Sequence, residues 1–280
     1  MRRTLMSGLL AATLVAGLAV TSARVGTITF GFVDTQNLFS NTGAFIVKSP
    51  TTGNIYPICS GTLIAPDVFL TASHCTAYFE ASLAPRGYTA FASFDSPIPF
   101  GDLTTKKTRL VEVTQVVTNP YYNQAQSDPG DIAVLLVSPR DTRGITPATL
   151  PSASLLDVLS VQNGLKDTAY TIVGYGLQNR VVGGGVPYFQ DVNPIPRMYA
   201  FASFDAINDA WLRLSQNPAT GDGGACFGDS GGPNFLTVEG VRTLVAITIT
   251  GDAVCRATNV VYRLDTPSAR AFLAPYVVLP

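Results

Sequence analysis

The sequence predicts an all-β protein, and three observations carry that prediction. Apolar residues make up 46% of the 280-residue chain and charged residues only 13%, a balance opposite to that of disordered chains. β-branched and aromatic residues gather in short runs separated by Gly, Pro, Asn and Asp clusters, which is the punctuation of strands and turns. Stretches with helical periodicity are few. The length suits one large domain or two small fused ones.

In chain order, Met1-Arg2-Arg3, an apolar run from Leu5 to Val20 and then Thr21-Ser22-Ala23 form the charged, apolar, small-residue order of a secretory signal. The signal is expected to span residues 1–23, with cleavage near Ala23. A membrane anchor is disfavoured, because the run is diluted by Gly, Ser and Thr and falls short of the roughly 20 apolar residues that cross a bilayer. Strand-like runs follow at Ala44 to Lys48, Val68 to Thr71, Val111 to Val117, Ile132 to Val137, Tyr170 to Val173 and Thr243 to Thr250. Helices are expected at Phe204 to Leu214 and at Thr266 to Val277, where Thr266 caps and Pro267 takes the first helical position. Three prolines and several small polar residues between Ser138 and Ser154 indicate a linker, dividing the chain after the leader into residues 28–145 and 146–280. Ala-Phe-Ala-Ser-Phe-Asp occurs at Ala90 to Asp95 and again at Ala200 to Asp205, a weak sign of duplication. Gly183-Gly184-Gly185 reads as a loop, since neither a P-loop Lys nor Rossmann spacing accompanies it.

The formal charge is −1, from 18 basic and 19 acidic residues, so there is no long-range positive field to gather nucleic acid or anionic lipid. Four cysteines, Cys59, Cys75, Cys226 and Cys255, behind an export signal read as disulfides, with three pairings open. Zinc is disfavoured, because the spacings are wide and the chain has one His. No calcium-ligand spacing is present, and no cofactor is implied.

That one histidine, His74, lies in Leu70-Thr71-Ala72-Ser73-His74-Cys75. Alone it would read as a satisfied structural side chain. Cys226-Phe227-Gly228-Asp229-Ser230-Gly231-Gly232-Pro233 changes that reading: a serine hydroxyl needs a base to take its proton and donors for the oxyanion that forms, and glycines beside Ser230 let backbone N–H groups approach a substrate. Gly228-x-Ser230-x-Gly232 also fits the nucleophile elbow of α/β-hydrolases, but their triad runs Ser, acid, His, and no His follows Ser230. The subtilisin order would need Asp34 or Asp67 as the acid, and its α/β architecture does not suit a strand-rich chain. The order His, Asp, Ser remains. Asp131 is the candidate acid, because it opens the apolar run Asp131 to Val137 at the edge of a core; Asp128 lies in a Ser-Asp-Pro-Gly turn and is expected to be solvated.

These residues resemble the trypsin-like, chymotrypsin-fold serine endopeptidases, bacterial secreted members especially. The matching blocks are Cys59 to Ile64, Leu70 to Cys75, Gly130 to Val134 and Gly223 to Pro233. The resemblance implies two six-stranded antiparallel β-barrels with the site between them and a C-terminal helix. It implies peptide-bond hydrolysis through an acyl-enzyme, with His74 as base, Asp131 orienting it, Ser230 attacking, and the N–H groups of Gly228 and Ser230 as the oxyanion hole. Disulfides Cys59–Cys75 and Cys226–Cys255 follow from it, as do protein or peptide substrates, a proteinaceous inhibitor as partner, a monomeric state, and secretion to the medium or a periplasm. The rival functions are a non-catalytic binding protein on this fold and an esterase-like hydrolase using the same triad.

The resemblance also implies a specificity pocket with Gly224 at its floor and Gly251 and Val260 on its walls. No carboxylate stands at Gly224, so small or medium apolar P1 side chains are expected rather than Arg or Lys. Neighbouring Asp222 would supply charge only through a shift of loop register. The family's Ser-Trp-Gly segment is here Ile249-Thr250-Gly251, which removes a serine that supports the triad Asp, and Ser73 stands where Ala is usual. Ile28-Thr29-Phe30-Gly31 resembles a diverged activation sequence, with residues 24–27 as a short propeptide and the freed Ile28 ammonium pairing with Asp229.

Overall fold

The computed structural model describes residues 28–280 apart from 100, 102–106, 124–126, 167, 177–179, 182–187 and 190–191. The expected signal and propeptide and the Gly183-Gly184-Gly185 run lie outside the described residues.

A short strand β1 (Phe32–Val33) precedes the first barrel. The barrel consists of β2 (Thr42–Lys48), β3 (Ile55–Ala65), β4 (Val68–Thr71), β5 (Thr89–Ser93), β6 (Val111–Thr118) and β7 (Ala133–Val137), closed in the order β2-β3-β4-β7-β6-β5. The side chains that made these runs visible, Phe45, Phe69, Leu70, Val134 and Leu135, are all removed from solvent, with neighbours on one strand buried on its two opposite faces. Closure leaves no free sheet edge. Helix α1 (Ser73–Tyr78) begins two residues after β4 ends. Thr71 pairs with Ala133, so the chain leaving β4 lies beside the chain entering β7. That single register brings His74 next to Asp131.

After α2 (Leu155–Val161), the second barrel is built from β8 (Tyr170–Gly174), β11 (Met198–Ile207), β12 (Trp211–Ser215), β13 (Pro233–Val238), β14 (Val241–Gly251) and β15 (Thr258–Arg263). A two-stranded hairpin of β9 (Arg180–Val181) and β10 (Tyr188–Phe189) is inserted between β8 and β11. The second ring runs β8-β11-β12-β15-β14-β13 and closes through β8–β11, with β1 added on β11. Numbered within its own barrel, each ring has the order one, two, three, six, five, four. The repeated hexapeptide does not follow this equivalence: its first copy starts on β5, the fourth strand of barrel one, and its second lies on β11, the second strand of barrel two.

The helix expected at Phe204 to Leu214 is absent, because β11 and β12 occupy that stretch. The chain reverses where the Asn208 side-chain oxygen accepts the N–H groups of Ala210 and Trp211 at 3.1 and 2.7 Å, an Asx turn. Helix α3 (Pro267–Leu273) forms near the C-terminus with Pro267 first and the Thr266 hydroxyl accepting from Ala269 N–H at 3.3 Å. Ser138–Ser154 contains no named strand or helix and touches both barrels: Ala148 N–H donates to Leu63 carbonyl and Leu244 N–H to Thr149 carbonyl, each at 2.8 Å.

The barrels meet at Arg197, whose side chain has no solvent exposure. Its Nε donates to Asp34 at 2.8 Å, Nη1 to the carbonyls of Thr42 and Phe94 at 3.1 and 3.2 Å, and Nη2 to the Asn37 side-chain oxygen. One guanidinium thus binds the β1 segment, barrel one and the entry to β11.

Candidate active site

His74 sits in the first turn of α1, partly open to solvent. Asp131 holds it twice: Oδ1 accepts the backbone N–H and Oδ2 faces ring Nδ1, both at 2.8 Å. A carboxylate only accepts, so the proton belongs on Nδ1 and Nε2 is left with its lone pair. The residue that departs from the family block stiffens this arrangement. Ser73 Oγ donates to the Ile132 carbonyl at 2.7 Å and accepts Asn119 N–H at 3.1 Å, tying α1 to the segment that carries Asp131. Disulfide Cys59–Cys75 fastens the same turn to β3.

Asp128 is not the solvated turn residue expected. Its carboxylate accepts Gly130 N–H at 3.0 Å, the Tyr262 hydroxyl at 2.9 Å and the Ser268 hydroxyl at 2.6 Å. The loop before Asp131 is therefore anchored to β15 and α3 of the opposite barrel. At the missing family serine, Ile249 is buried and apolar, and the hydrogen bonds that Asp131 accepts from described residues both come from His74.

Ser230 lies in the turn between β12 and β13. Asp229 N–H donates to the Cys226 carbonyl at 3.0 Å, Gly232 N–H to the Asp229 carbonyl at 2.8 Å, and Gly231 N–H to the Thr248 carbonyl at 2.7 Å. Ser60, on β3, fixes the turn to barrel one: its N–H donates to the Ser230 carbonyl at 2.8 Å and its hydroxyl to the Gly228 carbonyl at 3.0 Å. Gly228 has φ +97°, and a Cβ there would meet the Gly176 backbone, so the position demands glycine. Neither the Gly228 nor the Ser230 N–H donates to a described residue. Two such amides are the donors an oxyanion hole requires.

Beneath the turn, the Asp229 carboxylate is fully buried and accepts the N–H groups of Cys226 and Gly176, each at 2.8 Å. Burial outweighs these two donors and pushes its pKa up to about 7. No cation among the described residues pairs with it. Ile28 is buried in the core of barrel two, and the next residue, Thr29, exchanges two backbone hydrogen bonds with Gly224, at 2.9 and 3.0 Å.

His74 and Ser230 line one cavity of about 250 Å³, together with Phe227, Gly251, Asp252 and Asn259. Disulfide Cys226–Cys255 joins its two sides. Of the three expected pocket residues, Gly251 is on the wall, whereas Gly224 and Val260 are not in the lining. Gly224 is covered by Gln216, whose side chain fills the space where a Cβ would stand. Asn259 takes the place expected of Val260. Asp222 is held away by the hydroxyls of Ser203, Ser215 and Thr220 at 2.7, 2.7 and 2.8 Å. The group of potential metal ligands near the site, Cys59, His74 and Cys75, has both sulfurs in a disulfide and offers no thiolate.

A family model described as Trypsin matches residues 32–272. The chain belongs to the trypsin family. Among curated proteins, this trypsin-family chain is 27% identical over 201 residues to chymotrypsin-like elastase family member 1 of Homo sapiens, covering 70% of this chain and 71% of that one. It is 28% identical over 180 residues to the vitellin-degrading protease of Bombyx mori, covering 62% and 61%. It is 26% identical over 212 residues to the venom peptide isomerase heavy chain of Agelenopsis aperta, covering 71% and 79%. These relatives come from a mammal, an insect and a spider, and they lend no support to the expected likeness to bacterial members. The trypsin-family chain is a serine endopeptidase, with peptides or proteins as substrates.

Proposed function

We propose that this protease is exported and hydrolyses peptide bonds through Ser230, with His74 as general base and then acid and Asp131 as its orienting group. The observation that carries the reading is the double grip of Asp131 on His74 at 2.8 Å, with Nε2 left available in the cavity that His74 shares with Ser230. Ser230 Oγ attacks the carbonyl carbon while its proton passes to Nε2. The N–H groups of Gly228 and Ser230 stabilise the oxyanion, and His74 returns the proton to the leaving amine. Water repeats the sequence on the acyl-enzyme.

Activation belongs to the same proposal. Release of Ile28 from the residues before it creates an ammonium group, and Asp229 is a buried carboxylate, under the oxyanion turn, that no cation among the described residues pairs with. The reciprocal Thr29–Gly224 bonds support this reading, because they hold the Ile28 segment beside the strand of chain that leads into that turn. The signal of residues 1–23 and two disulfides support an oxidising destination. We take the enzyme as a monomer whose protein partners are substrates and an inhibitor that occupies the cleft. A cavity of about 250 Å³ with no carboxylate at Gly224 favours uncharged P1 side chains of small or medium size.

The test is a fluorophosphonate probe on the purified, processed protein. The adduct is expected on Ser230, and Ser230→Ala is expected to lose both label and turnover. Asp131→Asn is expected to lower kcat by about four orders of magnitude with the fold intact. Labelling elsewhere, or undiminished turnover in Ser230→Ala, would sink the assignment.

A further inference from the structure

We propose that Ser60 is a positioning residue of the oxyanion hole, its hydroxyl fixing the direction in which the Gly228 N–H points. The inference rests on the active-site reading above and deepens it. On that reading Gly228 and Ser230 each supply one amide to the hole, and each has its carbonyl held by the same residue. The Ser60 N–H donates to the Ser230 carbonyl at 2.8 Å, and the Ser60 hydroxyl donates to the Gly228 carbonyl at 3.0 Å. One residue of barrel one thus grips both donor residues of barrel two.

The direction of the hydroxyl bond follows from its neighbours. Ser60 has no solvent exposure, and its Oγ accepts Tyr175 N–H at 3.0 Å. A backbone N–H only donates and a carbonyl only accepts, so the Ser60 proton lies on the Gly228 side. Ser60 itself is held rigidly. It pairs with Ala44 across β2 and β3, and its carbonyl accepts the Thr71 hydroxyl at 2.8 Å.

Gly228 needs this grip because its φ of +97° is a conformation that glycine alone adopts readily. The same freedom lets the peptide groups beside it rotate, with no side chain to pin them. The peptide group between Gly228 and Asp229 is held at both ends, its N–H by the Cys226 carbonyl at 3.0 Å and its oxygen by Ser60. The first bond lies within the turn and moves with it, whereas the second ties the peptide to the other barrel. No other described residue donates to the Gly228 carbonyl, and the Asp229 carboxylate grips Cys226 and Gly176 instead. Oxyanion donors act by being aimed before charge develops. An amide free to swing loses its share of the transition state and leaves substrate binding as it was.

The experiment is Ser60→Ala on the processed enzyme, with kcat counted per site titrated by a fluorophosphonate. A peptide substrate is compared with a peptidyl trifluoromethyl ketone, to whose carbonyl carbon Ser230 Oγ adds, giving its proton to His74 and leaving an oxyanion. The expected result is a fall in kcat of about 10–100-fold, with KM kept within about twofold and ketone affinity reduced by the same factor as kcat/KM. A purely structural role would lower the titrated fraction and leave kcat per site and ketone affinity unchanged, which overturns the inference. The ¹⁵N order parameter of the Gly228 amide is expected near about 0.85 in the wild type and below about 0.6 in the variant. A wild-type value below about 0.6 also overturns it, and that measurement stands whether or not the variant folds. Labelling of Ser230 with kcat unchanged in Ser60→Ala overturns this inference alone. Absence of labelling and cleavage in the wild type overturns the active-site reading and this one with it.

Discussion

Asp34 and Asp229 are two carboxylates sealed from solvent, and the chain treats them differently. Asp34 receives the Arg197 guanidinium at 2.8 Å and the N–H groups of Leu38 and Phe39 at 2.7 and 3.1 Å. Asp229 receives two backbone N–H groups and no cation from the described residues. Burying a carboxylate is expensive unless it is paired and hydrogen-bonded. The first site is completed by folding itself, and its ion pair holds the barrels together. The second is half completed, and it lies under the turn that carries Ser230. The contrast separates a charge that builds the molecule from one that, on our proposal, a new terminus completes.

The strongest way to break the comparison is to remove the permanent cation. Arg197→Met leaves Asp34 buried and unpaired, and denaturant unfolding is expected to show a loss of about 3–5 kcal/mol. Adding Asp34→Leu should restore much of it; no recovery would mean that the carbonyl contacts of Arg197, rather than the ion pair, hold the junction. Asp229→Ala is expected to act on the other quantity. In protein beginning at Ile28, kcat should fall by about 10²–10³-fold as the oxyanion amides lose their support, while kcat unchanged would detach Asp229 from catalysis.

A subtler difference is in pH. Burial lifts the Asp229 carboxyl from 3.8 to about 7 in the chain whose Ile28 is not freed. Between those values the folded form keeps a proton that the unfolded form has released, so stability falls as pH rises through that window. Unfolding curves across pH 4–8 should show this slope in an N-terminally extended chain and lose it when the chain begins at Ile28. Equal slopes in both would contradict the pairing. The smallest expected effect is that of Asp128→Asn, which weakens the anchor of the Asp131 loop to Tyr262 and Ser268 without touching substrate; kcat should drop less than about tenfold, with KM unchanged.

What was legible in the sequence was whatever is written locally. β4 and β7 are short apolar runs, and the residues flanking them are His74 and Asp131; the Thr266-Pro267 start of α3 is a cap that needs no tertiary knowledge. Phe204 to Leu214 misled because Phe204, Ile207, Trp211 and Leu214 have helical spacing, whereas the deciding features were the Asn208 turn and the alternation of buried Leu212 and Leu214 with exposed Arg213. The resemblance implies Val260 on the pocket wall, whereas the residue that lines the cavity is Asn259, which stands opposite Gly251 in the pairing of β14 with β15. Asp34 and Arg197 are 163 residues apart, so their pairing was invisible without the closed barrels that bring them together.

The bond between Cys226 and Cys255 spans the Ser230 turn and the far side of the cavity that Ser230 shares with His74, two stretches of chain separated by 29 residues. A thiol-rich interior such as a cytosol would keep that strap open, and the binding groove would lose its fixed width. A chain held in such a thiol-rich interior would thus be a poor cutter of peptides, and the same chain in an oxidising space a competent one.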